Sequence, residues 1–301
     1  MRRRVMPVHG RTCRTAEAGE DDMSDDIALD YAPAYGVAEP IARSLRRLTA
    51  RNGGPLTFRG TNCYLLGERE ITVIDPGPDD EEHVSDLLTA AGAPIRRIVV
   101  SHGHADHAGG ASRLSALTGA EVIGAAPDAG RSFYRPDRVL VDGDVVETEA
   151  GALRTVATPG HTAGHLCFDL AGLGLLFSGD HVMAWSTSVV VPPDGSMADY
   201  MASLDRLAAI GARAYLPGHG GPVGDGPFRV GELRRHREGR EAAILRALEG
   251  KERTVEEIVA AVYIGLDPAL VGAAALSVKA HADWLEDRGL VRTKEGRLSR
   301  V

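Results

Sequence analysis

Cysteine is scarce in this chain: Cys13, Cys63 and Cys167 are three among 301 residues, widely spaced and with no C-x-x-C pair. That count excludes a disulfide-stapled secreted scaffold and leaves any metal ion to be held by His, Asp or Glu. Long apolar runs are missing too. None approaches the ~18 residues a membrane helix needs. Positive charge is short: the formal net charge is -8, which argues against a dedicated nucleic-acid coat. What remains is an ordinary globular composition, 44% hydrophobic and 25% charged, so neither a disordered chain nor a fibrous repeat is expected. At roughly 100–200 residues per domain, the length implies two domains or one large domain with an appendage.

Residues 1–30 read as a disordered tail. Arg2, Arg3, Arg4, Arg11 and Arg14 are followed by Glu20, Asp21 and Asp22, with no apolar core of a secretory signal between them. Met23 is a plausible alternative start, and the expected compartment is the cytoplasm.

From residue 55 to 220 the pattern is strand, loop, helix, repeated. Residues 62–66 and 70–75 read as paired strands, and Asp79-Asp80-Glu81-Glu82 opens a helix with acids at its positive end. A β-branched strand over 97–101 leads through a polar loop into a helix over 108–117. Residues 153–158, 165–170 and 174–178 read as strands, 199–210 as an amphipathic helix, and 213–216 as the last strand. Sheets covered by helices follow from that alternation, an α/β (α+β) class over residues 31–226. After Pro227 the character changes. Helices over 230–248, 254–263 (capped by Thr254 with Glu257 at capping-box spacing) and 271–288 precede a small hairpin around Lys294-Glu295-Gly296. Three helices and a hairpin over residues 227–301 read as a winged-helix module.

The chemistry sits where strands end. Ser101-His102-Gly103-His104-Ala105-Asp106-His107 puts two imidazoles on alternate positions as the chain leaves its sheet, then a carboxylate and a third imidazole as it turns. Three later loops repeat the device with Gly or Pro beside the ligand. They are Thr158-Pro159-Gly160-His161, Ser178-Gly179-Asp180-His181 and Pro217-Gly218-His219-Gly220. Several strand-end loops each offering a ligand are what a site built on a rigid sheet requires. Imidazole with carboxylate suits zinc, and also iron or manganese. His181 adjoins Asp180 and cannot face the same ion, while His9, His83, His236 and His281 have no companions and read as solvent-facing. Cys167, inside an alternating strand, reads as a small core residue.

The H-x-H-x-D-H string with its three later ligand loops resembles the metallo-β-lactamase superfamily over about residues 55–225. The opening strand Thr61-Asn62-Cys63-Tyr64-Leu65, the helix from Tyr200 to Leu204 and the C-terminal winged helix resemble the branch typified by lactamase-beta-like protein 2. That resemblance implies a four-layered αβ/βα sandwich with two metal ions, zinc in the first instance, at the edge of its sheets. It implies His102, His104 and His161 as ligands of the first ion, Asp106, His107 and His219 of the second, and Asp180 as the bridge. The best-known zinc lactamases place a Cys in the second site, and no Cys here lies in a ligand loop. The di-iron redox branch carries Glu where this chain has His104, which favours a hydrolase.

Such a centre lowers the pKa of a bound water towards neutrality, so a metal-held hydroxide attacks a carbonyl or phosphoryl group. Asp106 then orients the nucleophile as well as binding metal, His165 donates to the substrate oxygen or leaving group, and Asp75 accepts a proton from a ligand histidine. The expected substrate is a small molecule with an ester, thioester, lactone or amide-type carbonyl; RNA phosphodiester cleavage is the alternative. No membrane partner is expected. Residues 229–301 carry net +2 against -10 for the remainder, and their one basic cluster, Arg234, Arg235, Arg237 and Arg240, reads as a solvated helix face. The helix over 271–288 is Ala-rich and acidic towards its end, so specific DNA recognition is not expected, and the module reads as a wall of the active-site cleft.

Overall fold

A computed structural model describes residues 29–127 and 133–301 of the chain. The tail read from residues 1–30 falls, up to residue 28, outside the described residues. In chain order the elements are β1 (Glu39–Ala42), β2 (Leu45–Thr49), β3 (Asn62–Leu66), β4 (Ile71–Ile74), α1 (Glu81–Ala91), β5 (Ile95–Val100), α2 (Ala105–Ala108), α3 (Ala111–Thr118), β6 (Glu121–Gly124) and β7 (Arg138–Val139). There follow β8 (Val145–Thr148), β9 (Gly151–Ala157), β10 (Leu166–Leu170), β11 (Leu175–Gly179), α4 (Met197–Ala208), β12 (Ala214–Pro217), α5 (Gly226–Ala247), α6 (Val255–Val262), α7 (Val271–Asp287), β13 (Val291–Lys294) and β14 (Arg297–Arg300).

β1 to β7 form one sheet in sequence order, and β12-β11-β10-β9-β8 form a second. In the first, β1 to β4 run as an antiparallel meander and β4 to β7 are parallel, with α1, then α2 and α3, as the crossovers. In the second, only β11 and β12 are parallel, joined through α4. Strand alternation then sorts the side chains. Val99 faces the other sheet, where Tyr64, Leu66, Leu153, Phe168 and Phe177 share one core, whereas Ile98 and Val100 face outward against Val84, Leu87 and Leu114 of α1 and α3. Tyr64 and Phe177 meet edge to face across the sandwich, ring centroids 5.0 Å apart. The second sheet's outer face, with Val156, Cys167 and Leu176, is covered by Leu204 and Leu207 of α4 and by Val230 and Leu233 of α5. Helix, sheet, sheet, helix is the four-layered order expected.

The winged-helix elements build their own core from Ile244 and Leu248 at the end of α5, Ile258, Val278, Leu285, Val291 and Leu298. Helix α5 therefore serves two cores, its first half buried on the sandwich and its last turn in the C-terminal module. It begins earlier than expected because Asp225 accepts from the Phe228 amide and Pro227 sits in the first turn. Thr254 and Glu257 make the expected capping box on α6.

Two isolated histidines are buried rather than solvent-facing. His83 is 3% exposed, its Nε2 lying 3.1 Å from the Pro76 carbonyl and 3.2 Å from Cys63 Sγ, and His281 is fully buried between helices. Arg237 is a further correction: it is 3% exposed, so the basic cluster is not a uniformly solvated face. Among the described residues no helix is long and apolar enough to cross a membrane.

Candidate metal centre

Five strands of the two sheets end at one edge and hand their loops to one site. β4 delivers Asp75, β5 delivers His102 to His107, β9 leads to His161, β11 to Asp180 and β12 to His219. The crowding is close enough that small residues are obligatory. A Cβ on Gly218 would come within 2.5 Å of His107 Cε1 and 2.6 Å of Asp180 Oδ1.

The seven expected ligands converge. His104 Nδ1 lies 3.0 Å from His102 Nε2 and 3.1 Å from His161 Nε2. On the other side His107 Nε2 and His219 Nε2 are 3.2 Å apart, with Asp106 Oδ2 3.2 Å from His219 and 3.5 Å from His107. Asp180 stands between the two groups: Oδ1 is 3.3 Å from His107 Nε2, and Oδ2 is 3.4 Å from His219 Nε2 and 3.7 Å from His161 Nε2. Ligand atoms of His102, His104 and His161, of His102, His107 and Asp180, and of Asp106, His107 and His219 each cluster tightly enough to hold a metal ion.

Their surroundings fix which nitrogen faces inward. Asp75 accepts from the Ser101 amide and hydroxyl, both at 2.7 Å, and its Oδ2 lies 2.9 Å from His107 Nδ1. With its hydrogen given to Asp75, the Ser101 hydroxyl can only accept from His102 Nδ1, 3.0 Å away, which leaves a lone pair on His102 Nε2. His161 Nδ1 likewise donates to the Val189 carbonyl at 2.6 Å, and His219 Nδ1 to the Gly60 carbonyl at 3.2 Å. Four imidazoles are thus held with Nε2 turned into the site, the arrangement a ligand histidine adopts when its outer nitrogen is anchored. Asp75 itself has φ 50°, a left-handed conformation held by these hydrogen bonds.

This arrangement fits cations. The lone pairs of His102 and His161 both face His104 Nδ1, which has at most one hydrogen to offer the two, whereas a cation would satisfy all three, and the buried Asp180 Oδ1 has no hydrogen-bond partner. Burial pushes the imidazoles of His102 and His161 below their ordinary value, so both are neutral near pH 7. Burial would do the same to His219, but Asp180 and Asp106 outweigh it and lift that imidazole to about 9. His107 is raised by the same two carboxylates against the effect of burial. Asp106 is held down to about 2, its burial being outweighed by His107 and His219. Each group of three therefore has its own character: one nitrogen-only, with His102 and His161 neutral, the other charged and mixed.

His165, expected to face the substrate, lies beneath the centre. It is 1% exposed, and its Nε2 accepts the Asp180 amide hydrogen at 3.2 Å while Nδ1 contacts Thr158 Oγ1 at 2.9 Å. Both nitrogens are engaged inside the protein, where the ring buttresses the Asp180 loop. His181 points away from the centre as expected, its ring 4.5 Å from that of Tyr200. Sequence reasoning misses Ser101, the Val189 and Gly60 carbonyls and Thr158. Only Ser101 carries a signal, as the hydroxyl residue directly before the histidine string.

Residues 56–219 match the metallo-beta-lactamase superfamily, and residues 254–297 match the beta-lactamase associated winged helix domain. The chain belongs to the metallo-β-lactamase superfamily of hydrolases. This superfamily member is 32% identical to the lactamase-like protein aptB of Emericella nidulans, over 77% of this chain and 77% of that protein. It is 28% identical to an atrochrysone carboxyl ACP thioesterase of Aspergillus terreus, over 80% of this chain and 79% of the relative. Its fold matches that of a metallo-beta-lactamase family protein from Thermus thermophilus with a TM-score of 0.75 at 25% identity, covering 87% of this chain and all (100%) of that one. A beta-lactamase domain protein from Burkholderia ambifaria matches with a TM-score of 0.80 at 23% identity, over 92% of this chain and 97% of its own.

Proposed function

We propose that this superfamily hydrolase is a two-zinc enzyme that cleaves acyl thioesters of small molecules. The observation that carries the two-ion reading is Asp180, whose two oxygens face both ligand groups and whose Oδ1 is buried without a hydrogen bond. Seven ligands exceed the four one tetrahedral zinc takes, and imidazole with carboxylate suits that ion. Zinc bound there would supply Lewis-acid activation of a water and of the scissile carbonyl. The chain's own residues do the rest. Asp106, ionised at neutral pH and with a side chain 28% exposed, is the carboxylate at the mouth of the site that accepts a hydrogen bond from the attacking water. Asp75 and Ser101 fix the tautomers of His107 and His102.

Thioester as the substrate class is supported by the curated relative named as an acyl-carrier thioesterase, aligned over most of both chains. RNA cleavage has less support, because several arginines from residue 229 onward are already paired with carboxylates of the protein. Arg234 pairs with Asp205 and Glu238, Arg288 with Glu241 and Arg297 with Glu257. Purified protein should be analysed for metal and offered an acyl-coenzyme A, a lactone, a β-lactam and a structured RNA. Two zinc equivalents with thioester turnover well above the other arms are expected. RNA cleavage exceeding thioester turnover would reverse the substrate assignment, and a plateau at one zinc would remove the bridge.

A further inference from the structure

Two arginines of α5 are buried, and both reach into the same loop. Arg229, 7% exposed, donates from Nε to the Met183 carbonyl at 3.0 Å and from Nη2 to the Ser186 carbonyl at 3.3 Å. Arg237, two helical turns on, donates from Nη2 to the Ser188 carbonyl. Glu232 neutralises Arg229 at 3.3 Å, but no carboxylate pairs with Arg237 among the described residues. An unpaired buried guanidinium is costly to keep, so its geometry points to a use.

That use lies one residue beyond its acceptor. Val189, next to Ser188, supplies the carbonyl that anchors His161 Nδ1 and so turns Nε2 into the site. A second route starts from the guanidinium carbon, 5.0 Å from the centre of the Tyr200 ring. The Tyr200 hydroxyl donates to the His181 carbonyl at 3.0 Å, one residue after Asp180. One buried cation on a helix shared with the C-terminal module thus supports the backbone beside a first-group ligand and beside the bridging carboxylate.

We infer that Arg237 is a positioning residue of the metal centre, setting His161 through Ser188-Val189 and Asp180 through Tyr200-His181. Helix α5 is thereby part of the hydrolase centre's scaffold, through the stretch that covers the second sheet and carries Arg237. This inference rests on the two-zinc reading. Loss of outer partners that orient metal ligands weakens metal binding by about 10–100-fold, and Arg237 belongs with such partners.

The test uses full-length metal-free protein, zinc titration against a chromophoric chelator, and the visible spectrum of the cobalt(II) form. Arg237→Met keeps the aliphatic stem and removes the donors; it should weaken zinc binding by about 10–100-fold and alter the cobalt spectrum. Arg237→Lys retains one donor without the planar stack and should lose less, but measurably. Leu298→Ala, in the C-terminal core and away from the loop, controls for destabilisation and should lower Tm while leaving zinc affinity and the cobalt spectrum unchanged. Wild-type affinity and spectrum in Arg237→Met, or an equal loss in Leu298→Ala, would overturn the inference. Should Arg237→Met fail to fold, unchanged affinity in Arg237→Lys overturns it alone. If wild type itself takes up no zinc, the two-zinc reading fails, whatever the arginine does.

Discussion

Raising the pH from 7 to 9 should tighten the second zinc far more than the first. In the metal-free protein His219 sits at about 9 against an ordinary 6.5, because Asp180 and Asp106 outweigh its burial. At pH 7 only about one His219 in a hundred is then neutral, and zinc must displace the proton before using Nε2. That lowers apparent affinity about a hundredfold relative to pH well above 9, and by about tenfold per pH unit for each proton displaced. His107, raised by the same carboxylates, adds to the slope. The first group behaves otherwise: His102 and His161 are pushed down by burial, carry no proton near neutrality and have nothing to release. Chelator-competition titrations at half-unit steps from pH 6.5 to 9 should give a nearly flat first equivalent. The second should steepen by at least about tenfold per unit, with one to two protons released in weakly buffered calorimetry. Equal slopes for the two equivalents, or no proton release with the second, would refute the reasoning, since the two ligand sets would then not differ in charge.

Two substitutions extend the argument. Asp180→Asn keeps the shape but removes the charge shared by His107, His219 and His161, so zinc content should fall below two equivalents and thioester turnover should be lost while the far-ultraviolet circular dichroism is retained; elemental analysis with the thioester assay checks it. Gly160→Ala forces a Cβ to within 2.4 Å of the Tyr200 Cα at φ +136°, so it should cost about 2–5 kcal/mol in denaturant unfolding; a loss under about 1 kcal/mol would mean that the 160 loop yields freely.

The ligand loops are legible because each is a contiguous string at a strand end, where residue type and spacing carry the chemistry. Strands β3, β4, β5 and β9 to β12 are legible for a related reason: buried β-branched or apolar runs bounded by Gly and Pro. β1, β2 and β6 to β8 are not. They are short, and β1, β7 and β8 show little burial, so little in their composition marks them. What fails are side chains whose environment comes from far along the chain. Arg237 finds its acceptor at Ser188, 49 residues away, and reads locally as one more exposed helix arginine. His281 lies in an Ala-rich helix, and nothing local marks the full burial that its packing against other helices gives it. His165 looks free at a strand start until the Asp180 amide, 15 residues later, closes over it.

The division of α5 between two cores has a consequence for the order in which the chain is made. A nascent chain that has emerged only through β12 and the loop after it holds every expected ligand, His102 to His219, yet the second sheet's outer face still lacks Val230 and Leu233. Until α5 leaves the ribosome, that face is covered by α4 alone, and the loop at 183–190 lacks the arginines that grip it. Capture of metal in a finished geometry therefore waits for residues well beyond the last ligand. A chaperone or a premature stop acting in that interval would meet a complete set of histidines on an incomplete support.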